Sequence, residues 1–343
     1  MSIKYGIISG VLKKFGTVGG GKSLYNTKNI RLKKEVSNRI AFFPKISYNN
    51  FRVLNMTTIK FTKMNGLGND FIILDYEEYK RTNLSPDKLA LTLCNRNFYI
   101  GADGLIILNP DVKNADIGWL FYNSDGSAAQ MCGNGIRCFA RYVYDKKIIN
   151  KKEFSVETKA GIIIPKIISD NEIRVNMGKP VLEPNKIPTK SEKIMNIPYS
   201  VDGKEFLLNT VSMGNPHCII FVKENGKNLA LKYGANIEHD ELFPEKTNVE
   251  FVEILSRNEV KINVWERGCG ITSACGTGAC ATTVAGILNG YLDNTVKANL
   301  PGGALKIEWQ GNLSDTNYDV YMTGSADYSF VGEVYLNNKN LLK

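Results

Sequence analysis

The pattern of apolar and polar positions predicts both strands and helices. Alternation at 58–62 and 260–265, and an apolar run at 117–122, each indicate a strand. Ser85 followed by proline predicts a helix over 85–96, because serine caps a first helical turn and proline fits its first position. Strands and helices therefore mix along the chain, which indicates an α/β (mixed α+β) fold.

The chain contains the motif Cys-Gly-x-Gly twice, 143 residues apart, and each copy predicts a glycine-rich start of a helix. Other features recur at a similar spacing. The three matches are Cys132 with Cys275, Asn123 with Glu266, and Gly68-Asn69 with Gly214-Asn215. Three matches at nearly one offset indicate an internal duplication, although glycine-rich turns also match by coincidence.

Positive charge is concentrated at the start of the chain. The 343 residues carry a net charge of +9, yet residues 1–55 alone hold eleven Lys and Arg against a single acid, Glu35. Such a leader is typical of a transit peptide, of upstream sequence read through to a misassigned start, or of an arm that contacts RNA. Residues 16–23 match the phosphate-loop pattern, but no buried strand precedes them and no apolar helix stripe follows, so nucleotide binding is not expected.

The seven cysteines do not follow a metal-binding pattern. None is spaced Cys-x-x-Cys, and only His217 and His239 could complete a mixed site, so we expect no metal. An odd number of cysteines without a secretory signal favours a reducing compartment. We expect the cytoplasm, or a plastid if residues 1–55 are a transit peptide. No apolar run approaches eighteen residues, so we expect no transmembrane helix.

Two matched cysteines at helix starts indicate acid/base chemistry. Unpaired amides and the helix dipole favour a thiolate at such a position, so we expect the pKa of each thiol to be lowered. The glycines that follow leave the amides open to a carboxylate. Two such sites facing one carbon atom could remove a proton from one side and deliver a proton to the other. This arrangement predicts inversion at a carbon next to a carboxylate.

Six segments in order resemble the diaminopimelate epimerase family, whose enzymes work without pyridoxal phosphate. The segments are 63–71 (KMNGLGNDF), 121–126 (FYNSDG), 131–138 (MCGNGIRC), 214–218 (GNPHC), 243–248 (FPEKTN), and 265–268 (WERG) leading into 274–278 (ACGTG). Each motif is weak alone, but their order and spacing are highly specific. The resemblance covers about 57–343 and leaves the leader unexplained.

The resemblance implies a role for each matching residue. Cys132 and Cys275 would be the two catalytic acid/base thiols, and His217 and Glu266 would tune proton transfer. The residues that would bind substrate are Asn69, Asn123, Gly133, Asn134, Asn215, Asn248, Glu266, Arg267, Gly276 and Thr277. An arginine suits a second substrate carboxylate, because its planar fork can donate two parallel hydrogen bonds. No cofactor is implied, and the other cysteines are expected to be structural.

The resemblance also implies a fold and an assembly. Two pseudo-symmetric domains are expected, each a curved mixed sheet wrapped around a central helix, with the active site in the cleft between them. After the leader, 1–55, we expect an N-terminal domain at 56–177, completed by 323–343, and a C-terminal domain at 178–322. The family implies a homodimer, a small-molecule substrate, and no nucleic-acid or membrane partner.

Three positions depart from patterns found in the family. Many members have Gly-Glu-Thr ahead of the second cysteine, whereas this chain has Ile271-Thr272 in place of Glu-Thr, and Gly104 stands where some members have a substrate-contacting glutamine. Phe330 replaces a tyrosine that some members use at a dimer contact. None of the departures affects the two thiols.

Three alternative functions stay open from the sequence. Proline racemases and hydroxyproline epimerases also use paired cysteines, but a substrate with one carboxylate gives Arg267 no partner. A basic RNA-binding protein would act through residues 1–55, so deleting them would discriminate. A cysteine-liganded metalloprotein would be recognised by elemental analysis.

Overall fold

A computed structural model describes residues 56–337, and the predictions for 1–55 and 338–343 lie outside the described residues. The helices are α1 (Tyr76–Lys80), α2 (Pro86–Leu93), α3 (Gly133–Asp145), α4 (Gly226–Glu238) and α5 (Gly276–Leu288), with a 3-10 turn at Pro184–Lys186. The strands are β1 (Met56–Gly66), β2 (Asn69–Leu74), β3 (Gly104–Asn109), β4 (Ile117–Asn123), β5 (Val156–Thr158), β6 (Gly161–Ile163), β7 (Pro165–Ser169), β8 (Glu172–Asn176), β9 (Ile197–Val201), β10 (Lys204–Ser212), β11 (Pro216–Val222), β12 (Asn248–Ser256), β13 (Glu259–Glu266), β14 (Gly270–Ile271), β15 (Thr295–Leu300), β16 (Gly303–Trp309), β17 (Val320–Gly324) and β18 (Asp327–Asn337).

A seven-stranded mixed sheet, in the order β18-β1-β2-β3-β4-β5-β6, forms the first half of the fold. Helix α3 lies in its core, with Ile136, Phe139 and Val143 fully buried. These side chains pack with Trp119 and Phe121 of β4 in one apolar cluster. Ten of the thirteen residues of α3 are buried, so the sheet and its loops enclose most of this helix.

An eleven-stranded mixed sheet forms the second half, in the order β7-β8-β17-β16-β15-β13-β12-β11-β10-β9 with β14 paired to β13. Helix α5 is its core, and Ala281, Val284 and Ala285 are fully buried. Strands from both arms of the sheet, including β10 and β16, contact this helix. The small side chains of α5 allow that close enclosure, and the predicted mixed α+β fold of two halves, each with a central helix, is confirmed.

Two crossings link the halves. Strand β18 returns to the first sheet and pairs antiparallel with β1. Strands β7 and β8 precede residue 177, the predicted end of the N-terminal domain, yet β8 pairs with β17 of the larger sheet. Their side chains Ile167 and Ile173 nevertheless pack in the cluster around α3, in the first half. The division into domains at 177 and 323 stays a prediction.

The observed elements follow the sequence pattern closely. The predicted strands at 58–62, 117–122 and 260–265 lie within β1, β4 and β13. The predicted helix over 85–96 ends earlier, at Leu93. Beyond it the Asn95 side chain accepts hydrogen bonds from the backbone of Asn97 and Phe98, a local turn that competes with further helix. Within residues 56–337, no helix combines the length and apolar character that crossing a membrane requires.

Candidate active site

Cys132 is the N-cap residue of α3. Its backbone is extended (φ −145°, ψ 119°), and its Sγ accepts a hydrogen bond from the Gly135 amide at 3.4 Å. Cys132 Sγ also lies 3.6 Å from Oδ1 of Asn69, which follows the turn between β1 and β2. Asn134 donates to the same Asn69 oxygen at 3.3 Å. The sulfur thus occupies the place of a capping oxygen, at the positive end of the helix.

Cys275 repeats this geometry at the start of α5. It is the N-cap residue with extended backbone (φ −122°, ψ 107°), and its Sγ accepts from the Gly278 amide at 3.4 Å. The Thr277 hydroxyl lies 3.5 Å from the same sulfur. Because both cysteines cap their helices through the amide three residues ahead, the duplication indicated by the sequence extends to the local geometry of the two sites.

The two helix starts meet at one side chain, Met322 of β17. A Cβ atom added at Gly133 would lie 2.7 Å from Met322 Cε, and one added at Gly276 would lie 3.0 Å from Met322 Sδ. Gly68, next to Asn69, similarly approaches Ser273 just ahead of Cys275. The tertiary structure therefore brings the two predicted half-sites together, and larger residues at these glycines would crowd them.

A buried arginine that was not predicted from the sequence organises the first half-site. Arg137 has no exposed surface, and it donates hydrogen bonds to Gly133 O (3.0 Å), Ser325 O (3.0 Å) and Asn134 Oδ1 (2.9 Å). Burial lowers the pKa of its guanidinium. Since Oδ1 of Asn134 accepts from Arg137, Nδ2 of Asn134 is the side-chain atom left to face Asn69.

Asp103 is a second unpredicted member of the same half-site. Its Oδ2 accepts from Asn69 Nδ2 at 2.7 Å and from the Asp70 amide at 3.0 Å, which orients Asn69 Oδ1 toward Cys132. Arg96 then bridges Asp103 and Asp70, at 2.7 and 2.8 Å. A chain of hydrogen bonds from Asp103 through Asn69 thus fixes the groups around the first thiol.

Asp70 anchors this network electrostatically. Burial by itself raises the pKa of its carboxyl, but hydrogen bonds from Arg96 and Lys63 outweigh burial and lower the pKa to about 2. The Lys63 ammonium lies 2.8 Å from Asp70 Oδ2. Asp70 is therefore ionised in the folded protein over the whole neutral range.

Asn123 lies at the exposed end of β4, opposite Gly104. Its amide nitrogen donates to Ser127 Oγ at 2.9 Å. The next residue, Ser124, donates its backbone amide to Asp103 O at 3.0 Å. Asn123 is thus tied to the loop beside Asp103, with no direct hydrogen bond to the cysteines among the described residues.

His217 lies in the second half-site and is fully buried together with Glu250. Its Nδ1 is 2.7 Å from Glu250 Oε1, and its Nε2 is 3.1 Å from Asn215 Oδ1. One ring nitrogen, one Glu250 oxygen and Cys275 Sγ lie within 4.8 Å of one another. The structure therefore brings the predicted Asn215 and His217 together with the second thiol, and it adds Glu250.

Glu266 and Arg267 follow each other at the end of β13. Glu266 accepts a hydrogen bond from the Thr272 hydroxyl, and burial raises the pKa of its carboxyl. The exposed Arg267 donates through its guanidinium to Glu245 O at 3.1 Å. Its backbone amide donates to Asn248 Oδ1 at 3.0 Å. Asn248 in turn donates to Pro216 O at 2.8 Å, so this asparagine holds the Arg267 turn against β11.

The predicted lowering of the cysteine pKa values is wrong. Burial raises the pKa of the Cys132 thiol, and the Gly135 and Asn134 amides offset only part of that effect. Burial, and then the charges of Glu266 and Glu250, raise the pKa of Cys275 well above its ordinary range. Loss of solvation therefore outweighs the helix amides. The sequence reveals the helix start but not the depth at which the thiol is buried.

The other five cysteines are free thiols, as the two site cysteines are. Cys138 and Cys280 are buried inside α3 and α5, where burial raises the pKa of each to about 12. Cys94 and Cys218 are also buried, in agreement with a structural role, whereas Cys269 is exposed.

The fold is shared with solved proteins that are distant in sequence. It resembles a hydroxyproline epimerase from Agrobacterium vitis, with a TM-score of 0.60 at 13% identity, covering 82% of this chain and 93% of that one. A PhzF-family phenazine biosynthesis protein from Bacillus anthracis gives a TM-score of 0.58 at 14% identity, covering 82% and 100%. These similarities place the chain in the two-domain fold class that includes these proteins.

Sequence similarity then identifies the family. A sequence profile described as diaminopimelate epimerase matches residues 61–183 and 209–329. The diaminopimelate epimerases of Carboxydothermus hydrogenoformans and Halothermothrix orenii are 51% and 48% identical, each over 81% of this chain and over 100% and 98% of their own lengths. The chloroplastic diaminopimelate epimerase of Oryza sativa subsp. japonica is 44% identical, over 80% of this chain and 79% of its own. This chain belongs to the diaminopimelate epimerase family.

Proposed function

We propose that this protein converts LL-2,6-diaminopimelate to meso-diaminopimelate, without a cofactor, by two-base catalysis with Cys132 and Cys275. This is a step of lysine biosynthesis and, in bacteria, of peptidoglycan precursor synthesis. The observation that carries the proposal is the pair of thiols that cap α3 and α5 in the same way, in a chain of this family.

The proposed reaction begins when one cysteine, as thiolate, takes the proton from the α-carbon. The electron pair of the broken C–H bond passes to the α-carboxylate, and the opposite thiol then gives its proton to the other face of the carbon. The enzyme ends with the two protonation states exchanged, so atoms and charge balance. Burial raises the pKa of both thiols, so in the free protein the proton-donating thiol form is favoured, whereas a thiolate, once formed, is a strong base.

The developing charge on the α-carboxylate requires hydrogen-bond donors. The first N–H groups of a helix have no intrahelical partners, and in this protein two helix starts contact the same residue, Met322. We assign the α-carboxylate to the backbone amides of Gly133-Asn134 and Gly276-Thr277. The dipoles of α3 and α5 would then both stabilise the negative charge.

Polar residues around the cleft would bind the unreactive end of the substrate. These residues are Asn69, Asn123, Asn215, Asn248, Glu266 and Arg267. The exposed guanidinium of Arg267 suits the distal carboxylate, and the buried Glu266 would accept hydrogen bonds from an amino group.

The test is incubation of the purified protein with LL-diaminopimelate in deuterated water. Formation of the meso isomer with deuterium at the α-carbon supports the proposal. Turnover of proline instead, without diaminopimelate turnover, would favour the racemase alternative. That alternative rests on the paired cysteines and on a fold shared at 13% identity.

We further propose that the protein forms a homodimer through the outer edge of the smaller sheet. Strand β18 is the edge strand, and it exposes Tyr328, Phe330, Val331 and Tyr335. Exposed apolar side chains in one strand are typical of an interaction surface. Light scattering of the wild type and of Val331→Glu tests this proposal: a wild-type monomer would refute it.

Whether the enzyme acts in a plastid or in the cytoplasm depends on whether residues 1–55 are a transit peptide. A plastid would agree with their basic composition and with the chloroplastic rice relative, and a cytoplasmic enzyme would agree with an inert leader. A fluorescent protein fused behind residues 1–55 distinguishes the two. Deleting the segment should leave epimerisation unchanged in either case, and loss of RNA binding on deletion would instead support the RNA-binding alternative.

A further inference from the structure

Glu250 is a buried carboxylate in the centre of the second half-site. It stands on β12, and its side chain and that of His217 have no exposed surface. Oε1 lies 2.7 Å from His217 Nδ1, whereas Oε2 has no hydrogen-bond partner among the described residues. A buried carboxylate that is only half satisfied destabilises the fold, which points to a role in the site rather than in stability.

The contacts of the His217 imidazole determine which ring nitrogen is protonated. An ionised carboxylate only accepts hydrogen bonds, so the short contact with Glu250 requires a proton on His217 Nδ1. The other nitrogen, Nε2, faces the amide of Asn215 at 3.1 Å. That amide can accept or donate, depending on its orientation. Glu250 therefore specifies the Nδ1 proton in either case.

The same carboxylate is packed against the helix that carries the second thiol. A Cβ atom added at Gly278 would lie 2.5 Å from Glu250 Oε1 and 3.2 Å from Cys275 Sγ. A histidine nitrogen, a Glu250 oxygen and Cys275 Sγ also lie within 4.8 Å of one another. The ring, the carboxylate and the thiol thus form one compact buried group.

We propose that Glu250 is a positioning residue of the Cys275 half-site: it holds the His217 imidazole in one orientation with a proton on Nδ1, beside the thiol. Glu250 touches no substrate in this scheme and acts through His217. The inference rests on the proposed function only for its kinetic consequence, because the position of the proton is a property of the free protein.

The protonation of His217 Nδ1 can be measured directly in this protein. It contains two histidines, and His239 has a side chain that is 54% exposed, so it serves as an internal reference in long-range ¹H–¹⁵N spectra. In the wild type we expect His217 Nδ1 to be protonated. Glu250→Gln keeps the shape of the side chain, but its amide can donate as well as accept, so the Nδ1 proton is no longer fixed and we expect the tautomer protonated at Nε2 to become populated. The His239 signals should not change.

A kinetic experiment measures epimerisation of LL-diaminopimelate by the wild type and by Glu250→Gln. We expect Glu250→Gln to lower kcat about 10- to 100-fold, by analogy with the loss when a group that orients a metal-binding histidine is removed, with KM within about threefold. In a His217→Asn background the same change should have almost no further effect, because the two residues act as a unit. The matched control is Glu253→Gln on the same strand, whose carboxylate pairs with Lys261 and should not affect kcat.

The outcomes separate this inference from the proposed function. An unchanged His217 spectrum in Glu250→Gln, or full additivity with His217→Asn, would overturn the positioning role. If Glu250→Gln does not fold, Glu250→Asp replaces it: the Nδ1 proton should remain while kcat falls, and a wild-type kcat would overturn the inference. If the His217 tautomer changes in Glu250→Gln as expected but the wild type epimerises no diaminopimelate, the proposed function alone is refuted.

Discussion

Arg267 provides the sharpest test of substrate identity, because we assign it to the second carboxylate, which diaminopimelate has and proline lacks. The side chain is exposed at the end of β13, and its guanidinium donates to one acceptor among the described residues, Glu245 O. Its turn is held by the backbone bond to Asn248 rather than by the side chain. Arg267→Ala therefore removes the group that we propose to bind the distal carboxylate and leaves the local backbone in place.

The expected cost to stability and the expected cost to catalysis differ widely. The single hydrogen bond to Glu245 contributes about 1 kcal/mol or less, so the melting temperature should change little. Removing a charged fork that pairs with a desolvated substrate carboxylate costs about 2–5 kcal/mol. At about 1.4 kcal/mol per factor of ten, this lowers kcat/KM about 30- to 5,000-fold. Arg267→Lys should recover only part of the loss, because an ammonium lacks the planar fork.

The assay follows the initial rate of meso-diaminopimelate formation, together with a thermal melt of each variant. Arg257→Ala is the matched control, because Arg257 is also an exposed arginine but is paired with Asp293 at 2.8 Å. A loss in kcat/KM of less than about threefold for Arg267→Ala would match an ordinary surface substitution and refute the assignment. Equal losses in both arginine variants would also contradict it.

Three further predictions concern the first half-site and the thiols. Cys132→Ala and Cys275→Ala should each abolish epimerisation while circular dichroism shows an intact fold; near-normal turnover by either variant would exclude that thiol from the mechanism. Asp103→Asn should lower kcat at least tenfold, because the new amide no longer forces Asn69 Oδ1 toward the thiol, and unchanged initial rates would contradict this. The pKa of Asp70 is about 2 in the folded protein against an ordinary 3.8. The ionised carboxylate therefore stabilises the folded state by about 2 kcal/mol above about pH 4, and this stabilisation is lost as the pH falls to about 2. Urea unfolding across that range should show this loss in the wild type and not in Asp70→Asn, and parallel curves would argue against it.

Local features of the fold could be predicted from the sequence. The strands at 58–62 and 260–265 follow from alternation, and the starts of α3 and α5 follow from glycine-rich motifs after a capping cysteine. These features depend on neighbours within a few residues, so a linear pattern contains them. The motif order also sufficed to identify the family, as the profile match over 61–183 and 209–329 confirms.

The sequence by itself thus determined the two thiols, the helices that carry them and the family. Only the tertiary structure revealed Arg137, Asp103 and Glu250, whose contacts lie at residues distant in sequence, such as Ser325, Asn69 and His217. Only the tertiary structure also decided the direction of the cysteine pKa shifts. The helix amides that favour a thiolate are local, whereas the loss of solvation that outweighs them comes from two sheets closing around α3 and α5. Burial is a property of the assembled chain, which is why no local pattern contained it.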